Sequence, residues 1–320
     1  MINILANDGI SEIAIDLLKD KGFNVTNEHI NQDSLLDSIN KNNYEVVLVR
    51  SATKIKKEII DNCPSIKLIG RGGVGMDNID VEYAIDKGIK VINTPKASSL
   101  SVAELVFAHL FGMVRFLHDS NRKMPMEGEK DFKKLKKRYS SGRELFGKTI
   151  GIIGFGRIGQ EVARIAIGLG MNVLAHDKTI SEANISLKFF DNSKKTFTIV
   201  TDPINIVLER SDFITLHIPK IDDKAIITAK EIKLMKTGAG IINTSRGGLI
   251  DEDILMFSLE KKKLAYAALD VYNNEPSPSI HLLMQDNISL TPHIGAATQE
   301  AQERVGIELA EKIIKFYNKE

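Results

Sequence analysis

Short β-branched runs alternate along the chain with longer segments of helical period, a pattern that predicts parallel strands joined by crossover helices. In the first third the strand-like runs are INILA (2–6), YEVVLVR (44–50), IKLIGR (66–71) and IKVINT (89–94). ISEIAIDLLKDKG (10–22) lies between the first two, with Ile10, Ile13, Leu17 and Leu18 approximating one apolar helix face. SVAELVFAHLFGMVRFL (101–117) keeps Val102, Leu105, Val106, Leu110, Met113, Val114 and Leu117 at helical period, which predicts a buried helix crossing between domains. The Lys-rich stretch MPMEGEKDFKKLKKRYSSGRELFGK (124–148) has no sustained apolar period and predicts an exposed arm or a connection.

From Thr149 the strand pattern restarts: KTIGIIG, NVLAH, TFTIVTD, FITLHIP, GAGIINTS, AYAALDV and NISLTP, each set off by a helix-length segment. That is the pattern of a doubly wound α/β sheet. Residues 178–196 are polar and poorly patterned, and no element is assigned to them. The segment 298–317 predicts an amphipathic helix with Val305, Leu309 and Ile313 on one side.

At 320 residues the chain can hold two domains of ordinary size. Lys+Arg 43 against Asp+Glu 42 leaves a net charge of +1, which gives no electrostatic reason to expect nucleic acid or a membrane as partner. Cys63 is the only cysteine, so an internal disulfide and a cysteine-based metal site are excluded. The start, MINILANDG, lacks a basic segment followed by an apolar core, and no apolar run reaches the length of a membrane span. A cytoplasmic location and no metal are expected.

Candidate chemistry begins at GFGRIG (154–159), which follows the strand KTIGIIG and opens a helical segment. In such a turn Gly154 makes the tight bend, Gly156 lets the backbone approach a pyrophosphate, and Gly159 lets helix pack on strand. Arg157 and Ile158 complete the helix start, whose amides and positive potential suit phosphate. Asp177, 23 residues after Gly154, ends the next strand. A carboxylate there accepts from ribose hydroxyls and repels a 2′-phosphate, favouring NAD over NADP, with Lys178 softening the preference.

Three ionisable residues then follow three successive strand-like runs: Arg246 in NTSRGG, Glu275 in VYNNEP and His293 in LTPHIGAAT. Ligands of doubly wound sheets bind beyond the carboxyl ends of the strands, where these loops converge. An arginine there can hold a substrate carboxylate or carbonyl by a charge-assisted fork. A histidine can pass a proton to or from a carbinol oxygen. A glutamate beside an imidazole orients it and favours its protonated form.

Together these motifs resemble the D-isomer-specific 2-hydroxyacid dehydrogenase family, and within it the phosphoglycerate dehydrogenase branch. The resemblance runs through VRSATK (49–54), GRGGVGMDNID (70–80), NTPKASSLSVAEL (93–105), GKTIGIIGFGRIG (147–159), HIP (217–219), NTSRGGLIDE (243–252), ALDVYNNEP (268–276) and LTPHIGAAT (290–298). It implies Arg246, Glu275 and His293 as catalytic residues. It also implies two Rossmann-like domains, with an NAD-binding domain (98–290) inserted into a discontinuous substrate domain (1–97 plus 291–320). A dimer arm would lie at about 118–145.

Cofactor contacts are implied at Val74, at Gly154, Gly156, Arg157, Ile158 and Gly159, at Asp177, and at Ile218 and Pro219 on the adenine side. On the nicotinamide side they would be Thr244, Ser245, Arg246, Asp270, His293, Gly295 and Ala296. Substrate contacts are implied at Arg50, Ser51, Arg71, Gly73, Val74, Arg246 and His293, with Arg50 on a phosphate and the glycine-rich loop on the carboxylate. The arm departs from the family, because Leu135 and Lys137 stand where it carries a tryptophan and an arginine. The chain stops at Glu320 after its last helix, so no regulation by a serine-binding C-terminal domain is expected.

The activity implied is NAD-dependent oxidation of 3-phospho-D-glycerate to 3-phosphohydroxypyruvate, the first step of L-serine biosynthesis, in a homodimer. A glyoxylate or hydroxypyruvate reductase on the same scaffold would need the same three residues but no phosphate cation. An NAD-sensing corepressor would keep them too. The Lys-rich EKDFKKLKKR (129–138) lacks the interleaved aromatics of a nucleic-acid site and reads better as a solvated face.

Overall fold

The computed structural model describes residues 1–220 and 222–318 and divides the chain into two compact units, residues 1–101 with the segment from 296, and residues 102–295. In the first unit β1 (Asn3–Ala6), β2 (Asn24–Thr26), β3 (Val46–Val49), β4 (Leu68–Arg71) and β5 (Lys90–Asn93) pair in the order β2-β1-β3-β4-β5, all parallel. The crossovers are α1 (Glu12–Asp20), α2 (Gln32–Asn42), α3 (Lys57–Asn62) and α4 (Val81–Asp86). All four residues of β3 are buried, which is why it reads as an unbroken aliphatic run. The edge strand β2 has only three half-exposed or exposed residues, too few to show a pattern.

In the second unit α5 (Ser99–Val114) and α6 (Leu117–Arg138) precede the sheet, with the first turn of α5 counted in the first unit. Then come β6 (Thr149–Ile153), α7 (Arg157–Gly168), β7 (Asn172–His176), β8 (Glu182–Lys188), β9 (Lys194–Val200) and α8 (Ile204–Arg210). The unit continues with β10 (Phe213–Leu216), α9 (Ala229–Leu234), β11 (Ala239–Asn243), α10 (Glu252–Glu260), β12 (Leu264–Leu269), α11 (Ile280–Leu283) and β13 (Ile288–Leu290). Six strands form a parallel sheet in the order β13-β12-β11-β10-β6-β7. The order reverses between β6 and β10, the place where such folds bind ligands. The chain then returns to the first unit with α12 (Gln299–Tyr317), started by Thr298, whose Oγ1 accepts the Ala301 amide at 3.2 Å.

Three expectations need correction, and two stretches left without an element gain one. TFTIVTD is not a strand of the parallel sheet: β9 pairs antiparallel with β8 in a hairpin of its own, and only Thr201 bridges to Ala175 at the sheet edge. The hairpin also fills the stretch to which no element was assigned. Its Ile185 and Leu187 are buried while Glu182, Asn184, Ser186 and Lys188 are exposed, a two-residue alternation hidden among polar residues. The Lys-rich stretch is largely helical: α6 runs to Arg138 with a break at Asp131 (φ −116°), and Leu135 is its one buried residue. A helix that buries one side chain has no apolar period to read.

The long apolar helix stops at Val114, where Phe116 turns left-handed (φ 55°), and Leu117 is exposed. Finally, α1 buries Ala14, Ile15 and Leu18 and leaves Ile13 exposed. Its face is chosen by α12: a Cβ on Gly306 would lie 2.9 Å from the Ala14 Cβ, so the small residues set a close helix approach. Val305, Leu309 and Ile313 are buried on α12 as expected.

Candidate active site

The turn after β6 is built by its glycines. Gly154 has φ 96°, and a Cβ there would lie 2.3 Å from the His217 carbonyl oxygen at the end of β10. A Cβ on Gly159 would lie 2.2 Å from the Gly154 carbonyl oxygen, so helix α7 starts pressed against the turn. Between them Phe155 is fully buried, which contributes roughly 1.5–3 kcal/mol and fixes the loop to the core. Gly156 differs: nothing lies within 4 Å of where its Cβ would be. It is the N-cap of α7 and places no side chain on the first amides. Open space beside uncapped helix amides is the form a pyrophosphate requires.

Asp177 also ties this turn together. Its Oδ2 accepts the Phe155 amide at 2.7 Å, and its Oδ1 accepts the Thr179 and Ile180 amides at 2.8 and 3.0 Å. Burial alone would raise the Asp177 pKa, but these hydrogen bonds outweigh it and the net shift is downward. The carboxylate is therefore ionised at neutral pH, the state that repels a 2′-phosphate.

Further along the strand ends, Ser245 Oγ donates to the Ile218 carbonyl at 2.6 Å, joining the loops after β11 and β10. Thr244 Oγ1 and His217 Nδ1 are buried polar atoms without a partner among the described residues. Orphaned atoms after two adjacent strands, β10 and β11, fit a site shaped for a polar ligand. Pro219 is exposed and Ile218 half-buried.

His217 makes one internal bond, Nε2 to Thr215 Oγ1 at 2.9 Å, and burial pushes its pKa from 6.5 down to about 3. Below pH 6.5 an unfolded chain takes up this proton and the folded chain does not. The stability present above that pH is therefore lost as pH falls toward 3. Between pH 7 and 5 the wild type should lose about 2 kcal/mol more stability than a His217→Gln variant. Urea unfolding at both pH values measures this, and equal losses would show that His217 is not held neutral.

Arg246, Glu275 and His293 follow β11, β12 and β13, three adjacent strands. His293 Nδ1 lies 2.8 Å from Glu275 Oε2, while Glu275 Oε1 accepts the Tyr272 amide at 2.9 Å. Because the ionised carboxylate only accepts, Nδ1 carries the proton of this bond, and Nε2 is the ring nitrogen left for proton exchange. The His293 side chain is 45% exposed, which rules out packing as its role. Its backbone is left-handed (φ 56°), a strained conformation for a residue with a Cβ.

Asp270 holds that conformation. It is 1% exposed, and its Oδ1 accepts Thr291 Oγ1 at 2.6 Å and the Ile294 amide at 2.8 Å. Its Oδ2 accepts the Gly295 amide at 2.9 Å. A carboxylate expected only to face a cofactor thus clamps the loop that carries His293.

The Arg246 loop is fixed similarly. Asn243 Nδ2 donates to the Arg246 carbonyl at 2.8 Å, and Asn243 Oδ1 accepts the Ser245 amide at 3.1 Å. A Cβ on Gly247 would lie 1.8 Å from the Tyr272 carbonyl oxygen, so the Arg246 and Glu275 loops touch backbone to backbone. Sequence reading missed Gly247 and the Tyr272 amide because both act through contacts between loops distant in sequence.

The remaining expected residues belong to the first unit. Arg50 directly follows β3 and Arg71 ends the adjacent strand β4. The Arg71 guanidinium lies over Gly73 (φ 143°), where a Cβ would sit 1.8 Å from its Nη1, and the Arg50 stem flanks Gly72. The Arg50 guanidinium takes no hydrogen bond or salt bridge among the described residues. Burial lowers its pKa and the Asp8 charge only partly offsets this. The Arg71 guanidinium over the glycine loop, with the Arg50 stem beside it, brings two cationic side chains to the carboxyl ends of adjacent strands, a placement that suits an anion. Ser51 and Val74 are exposed beside it, and Ala296 begins the segment that leads into α12. Leu135 is buried within the second unit and Lys137 is exposed.

Residues 107–295 match the family model of the D-isomer specific 2-hydroxyacid dehydrogenase NAD-binding domain. A hydroxypyruvate reductase of Thermotoga maritima is 42% identical, over 97% of this chain and 96% of its own length. A D-3-phosphoglycerate dehydrogenase of Methanocaldococcus jannaschii is 41% identical over 98% of this chain, which spans only 57% of that relative. Among solved structures, a glyoxylate reductase from Paecilomyes thermophila matches with a TM-score of 0.81 and 28% identity, covering 98% of this chain and 94% of that one. The D-lactate dehydrogenase of Aquifex aeolicus, complexed with NAD and lactic acid, matches with a TM-score of 0.74 and 27% identity, covering 100% of this chain and 96% of that one. With the glycine turn, the strand-end carboxylate and these relatives in agreement, the chain belongs to the NAD-binding D-isomer specific 2-hydroxyacid dehydrogenases.

Proposed function

We propose that this protein interconverts 3-phospho-D-glycerate and 3-phosphohydroxypyruvate with NAD, the entry to L-serine biosynthesis. The observation that carries the reaction type is the bond from His293 Nδ1 to Glu275, which commits one ring nitrogen and leaves Nε2 for the proton. The turn from Gly154 to Gly159 and Asp177 would hold NAD, which when bound would supply the acceptor for the hydride of the carbinol carbon. His293 Nε2 takes the hydroxyl proton as the carbonyl forms, and returns it in the reverse direction. Arg246 holds the substrate's carboxylate or carbonyl oxygen. Glu275 keeps the imidazole in place and balances its charge.

The phosphate part of the reading is supported by Arg50, a partly buried cation that makes no salt bridge among the described residues and feels only the charge of Asp8, beside Arg71 and the glycine loop. A second reading, hydroxypyruvate reductase, is favoured by the end-to-end match to the Thermotoga maritima relative. Arg50→Gln separates the two. On the first reading it should raise KM for 3-phosphohydroxypyruvate by roughly tenfold to a hundredfold, about 1.4–2.7 kcal/mol, and that for hydroxypyruvate by less than about threefold. Equal effects on both substrates would remove the phosphate assignment and favour the reductase. The reading extends to a cytoplasmic homodimer, and a one-protomer mass in solution would count against that assembly.

A further inference from the structure

Helix α5 is apolar for most of its length, yet His109 sits in it at 4% exposure, among Val106, Leu110 and Met113. A buried imidazole is costly unless both nitrogens are bonded, and here both are. Nδ1 lies 2.8 Å from Ser289 Oγ on β13, and Nε2 lies 3.0 Å from Thr291 Oγ1 just beyond it. The direction of each bond follows by elimination. Asp270 accepts, so the Thr291 hydroxyl proton points to it at 2.6 Å. Thr291 Oγ1 must then accept from His109 Nε2–H, which leaves Nδ1 of the neutral ring to accept the Ser289 hydroxyl. Burial lowers the His109 pKa more than the Asp270 charge raises it, so the ring is neutral. The chain of bonds runs Ser289, His109, Thr291, Asp270, and ends on the amides of Ile294 and Gly295, so that Asp270 grips the segment at Thr291 before the strained His293 backbone and at two amides directly after it.

We propose that His109 is a positioning residue for proton transfer: through Thr291 and Asp270 it holds the 291–295 segment so that His293 meets Glu275. A histidine satisfied merely for packing would have no reason to bond only to the strand and loop that carry His293. The other polar side chains of α5 make no such link among the described residues: Ser99 Oγ is buried without a partner, Ser101 bonds Thr298 and Glu104 is exposed. The kinetic half of this inference rests on the proposed dehydrogenase reading, and the structural half does not.

The test compares His109→Leu with His109→Gln, whose amide nitrogen can still donate toward Thr291. Amide hydrogen exchange reads the structural half in the full chain. His109→Leu should speed exchange at Ile294 and Gly295 by on the order of tenfold or more, and His109→Gln should restore most of the protection. Steady-state assays with NADH and a 2-keto acid read the kinetic half. His109→Leu should lower kcat by roughly tenfold to a hundredfold, with KM for NADH within about twofold, because a displaced catalytic group costs that much. In a His293→Ala background the same substitution should cause no further loss.

Unchanged exchange at Ile294 and Gly295, or an equal kcat loss in both backgrounds, would overturn the proposal. If His109→Leu fails to fold, Thr291→Val breaks the same chain with the side-chain shape kept and is held to the same outcomes. A wild type inactive on every 2-keto acid would instead defeat the dehydrogenase reading, and the exchange measurement would then decide on His109 alone.

Discussion

Replacing His293 by alanine should lower kcat by about 10²–10⁴-fold while NADH binds within about twofold of wild type. The side chain is 45% exposed and, among the described residues, bonded to Glu275 alone, so its loss removes a proton carrier and little packing. Alanine keeps a Cβ in the left-handed backbone, and Asp270 still clamps the amides on the far side, so the loop itself should persist. Single-turnover assays with fluorescence titration of NADH separate the two effects. A drop of only a few-fold would mean that another group moves the proton.

The second large effect concerns the glycine turn, where two neighbouring positions should fail in opposite ways. Gly156→Val points a side chain into open space, since no atom lies within 4 Å of its Cβ. It should leave Tm nearly unchanged and weaken NADH binding by about a hundredfold or more, some 2.7 kcal/mol, by filling the space for the pyrophosphate. Gly154→Val meets the His217 carbonyl at 2.3 Å from a backbone at φ 96°. It should destabilise the fold by about 3 kcal/mol or more, because neither strand end can retreat without breaking the β6–β10 pairing. Calorimetry with NADH titration distinguishes these outcomes. Intact NADH binding in Gly156→Val would mean that the cofactor does not approach this backbone.

Both predictions use residues that local sequence could name. A glycine between a strand-like run and a helical run has few explanations, and an ionisable residue in the loop after each of three successive strands has a position as well as a type. The aliphatic runs that became β3, β6, β10, β11 and β12 were legible because strands buried on both faces need no alternation, and only apolar residues tolerate that burial. Asp177 was legible through its distance from the turn, though not its second task of holding the Phe155 amide.

What only the tertiary structure decided concerns partners far apart in the chain. The hairpin of β8 and β9 took the place of a crossover because Ile185 and Leu187 found a buried face, which their polar neighbours concealed. Helix α6 carries almost no apolar stripe, so its helicity follows from Lys, Glu and Met propensity rather than from a pattern. The face of α1 was chosen by Gly306 on a helix nearly 300 residues away in sequence. His109 and Asp270 read as one more helix residue and one more cofactor contact until Ser289 and Thr291 came within 3.0 Å of the imidazole. The sequence by itself determined the family, the parallel sheets and the identity of the chemical groups, because local periodicity and residue type suffice for those. The tertiary structure decided which groups are locked to which, because a hydrogen bond depends on an ångström-scale approach that no local pattern encodes.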